Sequence, residues 1–223
     1  MSGRPCRPSW APLLCATAVA CGAGTHRPAQ APNPAASARG SEEDTASVAT
    51  RELVVLSIVG TNDVHGRVSS MPYFGGYLRN LRAQRSSDGA VVLIDGGDMF
   101  QGTLESNPNE GSVIVRAYNA LGYTAATVGN HEFDFGPVGE AATAIQPGDD
   151  PRGALKARAA EAAFPLLTAN LVDAASGGRV DWAPLVASTL VTTANVSVGI
   201  IGVTTEETLR TTLAANVADL RLT

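Results

Sequence analysis

Ala90-Val91-Val92-Leu93-Ile94-Asp95-Gly96-Gly97-Asp98 is the stretch that decides the fold: five apolar residues run without interruption into a carboxylate, two glycines and a second carboxylate. An unbroken apolar run of this length between polar ends is the pattern of a strand buried within a sheet. Its abrupt polar end puts Asp98 at the carboxyl end of that strand, where open α/β sheets bind their ligands. The glycines permit a tight turn and close backbone approach. Asp95 is equally readable as a capping or turn residue.

The same layout repeats on both sides. Upstream, Leu53-Val54-Val55-Leu56-Ser57-Ile58-Val59 predicts a strand covered on both faces, and Thr61-Asn62-Asp63-Val64-His65-Gly66-Arg67 follows it. Asp63 and His65 are two apart, so in extended backbone they point the same way. A hard carboxylate and an imidazole on one point suit a divalent metal such as Zn or Mn. Phe74, Tyr77, Leu78 and Leu81 recur at helical spacing and predict a helix over about 74–86, with Arg79, Arg82 and Arg85 on a solvated face.

Downstream, residues 112–121 predict a helix closed by Gly122, and residues 124–128 a short strand. That strand ends in Gly129-Asn130-His131-Glu132-Phe133-Asp134. If the segment turns helically, His131 and Asp134 share a face. A carboxylate beside an imidazole sets its tautomer and suits it to act as a general acid or to stabilise developing negative charge. Taken alone, such a pair at a strand end is more often structural. Asp98 follows His65 by 33 residues and Asn130 follows Asp98 by 32, each interval with room for one β-α-β crossover. Three polar clusters are thereby expected at one edge of one sheet.

Further helices are expected near 137–145 and about 154–163, separated by a loop over 146–153. Strands are expected over 165–172, which holds Asn170, over 185–190 and over 196–203, with another polar-apolar element from 204. The alternation of strand and helix predicts the α/β class with a largely parallel first sheet.

Residues 1–21 carry Arg4 and Arg7, an apolar run from Trp10 to Ala20, and small residues before Cys21, which is the layout of an export signal. Ala18-Val19-Ala20-Cys21 also resembles a lipoprotein signal, in which Cys21 would carry a lipid that attaches the chain to a membrane. A disordered Ala- and Cys-rich start is the alternative. Residues 22–52 are mostly Gly, Ala, Pro, Ser and Thr and predict a disordered linker, with His26 a solvated bystander. The expected location is therefore outside the cytoplasm: periplasmic, membrane-anchored or secreted.

At 223 residues and 44% hydrophobic, the chain has material for one domain with a real core. A net charge of −5 argues against a nucleic-acid polymer as partner. All three cysteines lie in the first 21 residues, so the body has no internal disulfide, and with only three histidines no Cys/His zinc finger is available.

Thr61-Asn62-Asp63-Val64-His65-Gly66, the run from Asp95 to Thr103 and the run from Gly129 to Asp134 together closely resemble the metallophosphoesterase domain of the bacterial 5′-nucleotidase family. That family lies within the calcineurin-like superfamily and includes UDP-sugar hydrolases and 2′,3′-cyclic-nucleotide phosphodiesterases. The resemblance covers about 53–205, and it implies a four-layer αββα sandwich whose second sheet begins at about 165. It implies two divalent metal ions (Zn, Mn, Co or Mg), with Asp63 and His65 on one, Asp98 bridging both and Asn130 on the second. It further implies His131 and Asp134 as a catalytic dyad and a nucleotide or related small phosphoester as substrate. The family adds metal-binding histidines downstream, including a His-x-His pair, whereas this chain has none after His131; Gly60 is a lesser departure. Residues 53–223 are therefore expected to be the N-terminal portion of such a domain, truncated at its C-terminal end. A catalytically inactive metal- or phosphate-binding remnant, and a sulfur-ester hydrolase of related fold, are the alternative expectations.

Overall fold

A computed structural model describes residues 53–223. The expected signal at 1–21 with Cys21, and the expected linker at 22–52, lie outside the described residues. Four parallel strands form the main sheet in the order β1-β2-β3-β4: β1 Val55–Thr61, β2 Gly89–Asp95, β3 Ala125–Thr127 and β4 Leu166–Leu167. β1 and β2 pair from Val55 opposite Gly89 to Thr61 opposite Asp95, which brings the polar loops after both strands to one level.

Three helices make the crossovers that parallel pairing requires: α1 Met71–Arg85, α2 Ser112–Leu121 and α3 Gly153–Glu161. α1 touches β1, β2 and α2, and α2 touches α3. Leu78, Ile114, Tyr118 and Leu155 join Val59, Leu93 and Leu166 in one core. Burying each large apolar side chain there contributes about 1.5–3 kcal/mol. α2 has the expected bounds because Gly122 adopts the left-handed conformation (φ 69°) and its N–H donates to the last turn. α1 begins before the expected 74, with Pro72 in its first turn, where the fixed φ of proline suits a helix start. Its arginines are more than a solvated face: Arg82 donates to the Gly122 carbonyl (3.1 Å) and Arg85 Nε to Ser57 Oγ (2.9 Å).

Several other expectations are corrected. β1 is an edge strand with Ile58 57% exposed, so only one of its faces is covered by helices. The opposite side of the sheet carries a cavity of about 470 Å³ reached by Thr61, Ile94, Ala126, Leu167 and Ile200. Residues 137–145 are not helical, because Gly136 (φ 65°) and Gly139 (φ 121°) take conformations that break a right-handed helix on either side of Pro137. The single strand expected at 165–172 is two strands. β4 completes the first sheet instead of beginning a second, and β5 (Leu171–Asp173) pairs antiparallel with β8 (Leu220–Leu222). The break falls where the Ala169 N–H turns to the Gly202 carbonyl (2.8 Å) and Asn170 exchanges two hydrogen bonds with the Thr204 backbone.

β6 (Ser188–Thr193) and β7 (Val196–Ile201) form an antiparallel hairpin. Its turn residues Ala194 and Asn195 are both left-handed, which matches the twist of the flanking strands. Between β7 and β8 lie two single-turn helices, α4 Thr208–Thr211 and α5 Ala214–Val217. Among the described residues no helix is long and apolar enough to cross a membrane.

Asp95 ties these layers together. Its Oδ2 accepts from Thr61 Oγ1 on β1 (2.5 Å) and from the Tyr118 hydroxyl on α2 (2.8 Å), while Oδ1 accepts the Gly97 N–H (2.8 Å). The carboxyl is 3% exposed. Burial pushes it up to about 6; the three hydrogen bonds oppose the shift and the charge of Asp98 adds to it. A folded-state value above the ordinary 3.8 means that the associated stability is complete below about pH 4 and is lost as pH rises through 6. Urea unfolding of metal-free protein at pH 4 and pH 7 is expected to show this loss, up to about 3 kcal/mol. Asp95→Asn is expected to lack this contribution, so that its stability falls less between the two pH values; equal pH dependence in both proteins would refute the assignment.

Candidate active site

Three loops meet at the carboxyl edge of the sheet. Backbone hydrogen bonds zip the loop after β1 to the loop after β2: Asp63 N–H to Gly97 O (3.0 Å), His65 N–H to Asp98 O (3.0 Å) and Gly66 N–H to Met99 O (2.9 Å). The loops after β2 and β3 meet through glycines. A Cβ on Gly97 would lie 2.8 Å from the Gly129 nitrogen, and one on Gly129 would lie 2.3 Å from Asp98 Oδ1. Real side-chain atoms do not approach that closely, so glycine is required at both positions.

Glu132 holds the second and third loops together, and the motif reading assigned it no role. Its side chain is 1% exposed. Oε1 accepts the N–H groups of Met99 (2.9 Å) and Phe100 (3.2 Å), and Oε2 those of Asp98 (2.9 Å) and Gly129 (2.6 Å). Burial, and then the nearby charge of Asp98, push this carboxyl up to about 7 against the N–H donors, which favour its ionised form. No local signal singles it out in the sequence, because it stands among the polar residues Asn130, His131 and Asp134; its burial against four N–H donors is what distinguishes it.

The four expected metal ligands stand on this frame, and three of them are strained. Asp63 (φ 51°), His65 (φ 48°) and Asp98 (φ 60°) all adopt the left-handed backbone conformation uncommon for residues other than glycine. The strain redirects their side chains off the strand ends. His65 Nδ1 lies 3.2 Å from the Gln101 carbonyl, the contact that a ring N–H makes when its other nitrogen is to serve as a ligand. That other nitrogen, Nε2, is 3.8 Å from Asp63 Oδ1. The Asn130 amide faces Asp98: with its nitrogen turned inward it reaches Oδ1 at 3.3 Å and Oδ2 at 3.1 Å, and its oxygen accepts from His131 Nε2 at 3.2 Å. The donors therefore form two pairs, Asp63 with His65 and Asp98 with Asn130. The rings of His65 and His131 lie 4.5 Å apart, edge to face. Carboxylate, imidazole and amide oxygen are the right chemistry for divalent ions. Among the described residues, no three His, Cys, Asp or Glu side chains converge as a metal-binding group.

After β3 the chain makes a 3₁₀ turn over His131–Phe133, so His131 and Asp134 do share a face. Nδ1 of His131 lies 2.6 Å from Asp134 Oδ2. The His131 backbone N–H donates to Asp98 Oδ1 (2.9 Å), linking this pair directly to a candidate metal ligand.

Comparison with known proteins gives this geometry a context. The chain is 32% identical over 166 residues to the snake venom 5′-nucleotidase of Gloydius brevicauda, a match covering 69% of this chain and 26% of that protein. The solved 5′-nucleotidase precursor from Thermus thermophilus superimposes with a TM-score of 0.57 at 26% identity, over 75% of this chain and 32% of that one. This chain is a relative of the 5′-nucleotidases. It spans about a quarter of the length of the curated 5′-nucleotidases it matches. The calcineurin-like phosphoesterase YfkN from Bacillus subtilis shares the fold, with a TM-score of 0.54 at 20% identity over 75% of this chain and 53% of that one. No protein-family model matches the chain.

Because glutamine offers one acceptor oxygen where glutamate offers two, Glu132→Gln leaves two buried N–H groups facing another donor. The expected loss is about 2–4 kcal/mol of unfolding free energy at pH 8, read from urea denaturation. A midpoint within error of the parent protein would show that the two loops are held by something else.

Proposed function

We propose that residues 53–223 carry the metal-binding part of an exported phosphoester hydrolase that acts on nucleotides. The observation that supports this most directly is the convergence of three loops on one sheet edge, with left-handed backbone at three of the four donor residues. In this reading Asp63, His65, Asp98 and Asn130 would hold two divalent ions, Asn130 through its amide oxygen once the amide turns from the orientation that faces its nitrogen to Asp98. The ions, of the Zn, Mn, Co or Mg type, supply neutralisation of phosphate charge and activation of a water. Asp134 orients the His131 ring through Nδ1, and Nε2, which here donates to the Asn130 oxygen, would donate toward a phosphoryl oxygen or protonate the departing alkoxide once that amide turns. The N-terminal reading belongs to the same proposal: residues 1–21 direct export, Cys21 carries a lipid, and 22–52 tether the domain.

The pairing of donors without a third acidic, His or Cys partner favours a second reading, in which the described residues bind metal or phosphate without turnover. One experiment separates the two. With Mn²⁺ or Zn²⁺ supplied, the 223-residue protein is expected to release phosphate from a nucleoside 5′-monophosphate, and a chelator to abolish the release. His131→Ala is expected to lower kcat by about 10²–10³, and Asp98→Asn by at least that much. Metal binding by calorimetry with no phosphate release would select the binding-only reading. Failure of the protein to bind Mn²⁺, Zn²⁺ or inorganic phosphate would overturn both.

A further inference from the structure

The His131–Asp134 turn is gripped by a segment that lies almost eighty residues downstream. Thr212 sits in extended backbone (φ −116°, ψ −178°) between α4 and α5, and its hydroxyl donates to Asp134 Oδ1 at 2.7 Å. Four residues further on, the fully buried Asn216 donates from its side-chain amide to the Phe133 carbonyl (2.8 Å) and the Ala142 carbonyl (2.9 Å). The two grips differ in kind. Asn216 fixes the backbone of the turn, whereas Thr212 touches the carboxylate itself. With Oδ2 on His131 Nδ1 and Oδ1 on Thr212 Oγ1, both oxygens of Asp134 are committed.

A carboxylate held at one oxygen turns readily about its last torsion, which is broad and roughly two-fold. Held at both, it has one orientation, and the imidazole bonded to it has one as well. The second donor must be short and must be a hydroxyl: threonine and serine provide it, and valine, with the same shape as threonine, does not. We propose that Thr212 is a positioning residue for the His131–Asp134 pair, locking the plane of the Asp134 carboxylate so that the ring presents Nε2 toward Asn130. This rests on the reading of His131 as the acting group in the proposed hydrolase.

The test uses the full 223-residue chain with ¹⁵N-labelled histidine, at one fixed pH and without metal. The hydrogen-bonded proton on His131 Nδ1 is expected as a low-field resonance, identified by its loss in His131→Ala. Thr212→Val is expected to shift that resonance upfield or exchange it away, and Thr212→Ser to keep it. Thr212→Ala, which removes bulk as well as the hydroxyl, is the second variant and is expected to match valine. In phosphate release with Mn²⁺, valine is expected to lower kcat about tenfold with KM within about twofold, and serine to restore kcat. An unchanged resonance in Thr212→Val, or a serine variant as impaired as valine, would overturn the inference. If His131→Ala hydrolyses as fast as the parent protein, the proposed function fails, and the resonance in the valine variant still decides whether Thr212 positions the ring.

Discussion

A single buried carboxylate, that of Glu132, is what the site depends on. Without it, the N–H groups of Asp98, Met99, Phe100 and Gly129 would point at one another across an apolar interior, each costing roughly the free energy of a lost hydrogen bond. With it, two loops that follow different strands share one acceptor group and cannot move independently. The arrangement also decides where glycine is needed. Loops drawn this close leave no room for a Cβ at Gly97 or Gly129.

That clamp makes the strain at the donor residues tolerable. A left-handed residue other than glycine costs of order 1–3 kcal/mol, and Asp63, His65 and Asp98 each adopt that conformation on loops that touch one another. Their backbone groups are held by the zipper from Asp63 to Met99. The surrounding structure over-determines the conformation, which is the condition under which strain persists and a side chain is aimed somewhere a relaxed strand end would not send it. Asp95 performs the corresponding task one layer deeper, joining β1, β2 and α2 beneath the loops.

The segment after β7 closes the arrangement from the far side. Thr204 donates from its hydroxyl to the Val128 carbonyl (2.8 Å), just before Gly129, and Thr212 and Asn216 reach the turn that follows it. The site edge is therefore built from the first half of the described chain and braced by its last part. The sheet face opposite the helices stays partly open: Ile58 is exposed, and Ile201 is exposed where it lines the cavity.

The sequence by itself determined the α/β alternation, the three loops, the helix at 112–121 and the neighbourhood of His131 and Asp134. These follow from local causes: apolar runs that must be buried, glycines that end elements, and a spacing that sets two side chains on one face. Tertiary structure decided what depends on partners distant in the chain. Residues 165–172 divide between two sheets because Gly202 and Thr204 capture the backbone at Ala169 and Asn170. β1 is exposed on one face because its coverage is set by which elements reach it and not by its own apolar run. Glu132 and Thr212 gain their roles only when loops separated by up to almost eighty residues come within hydrogen-bonding distance, a relation that no local pattern of charge or hydropathy encodes.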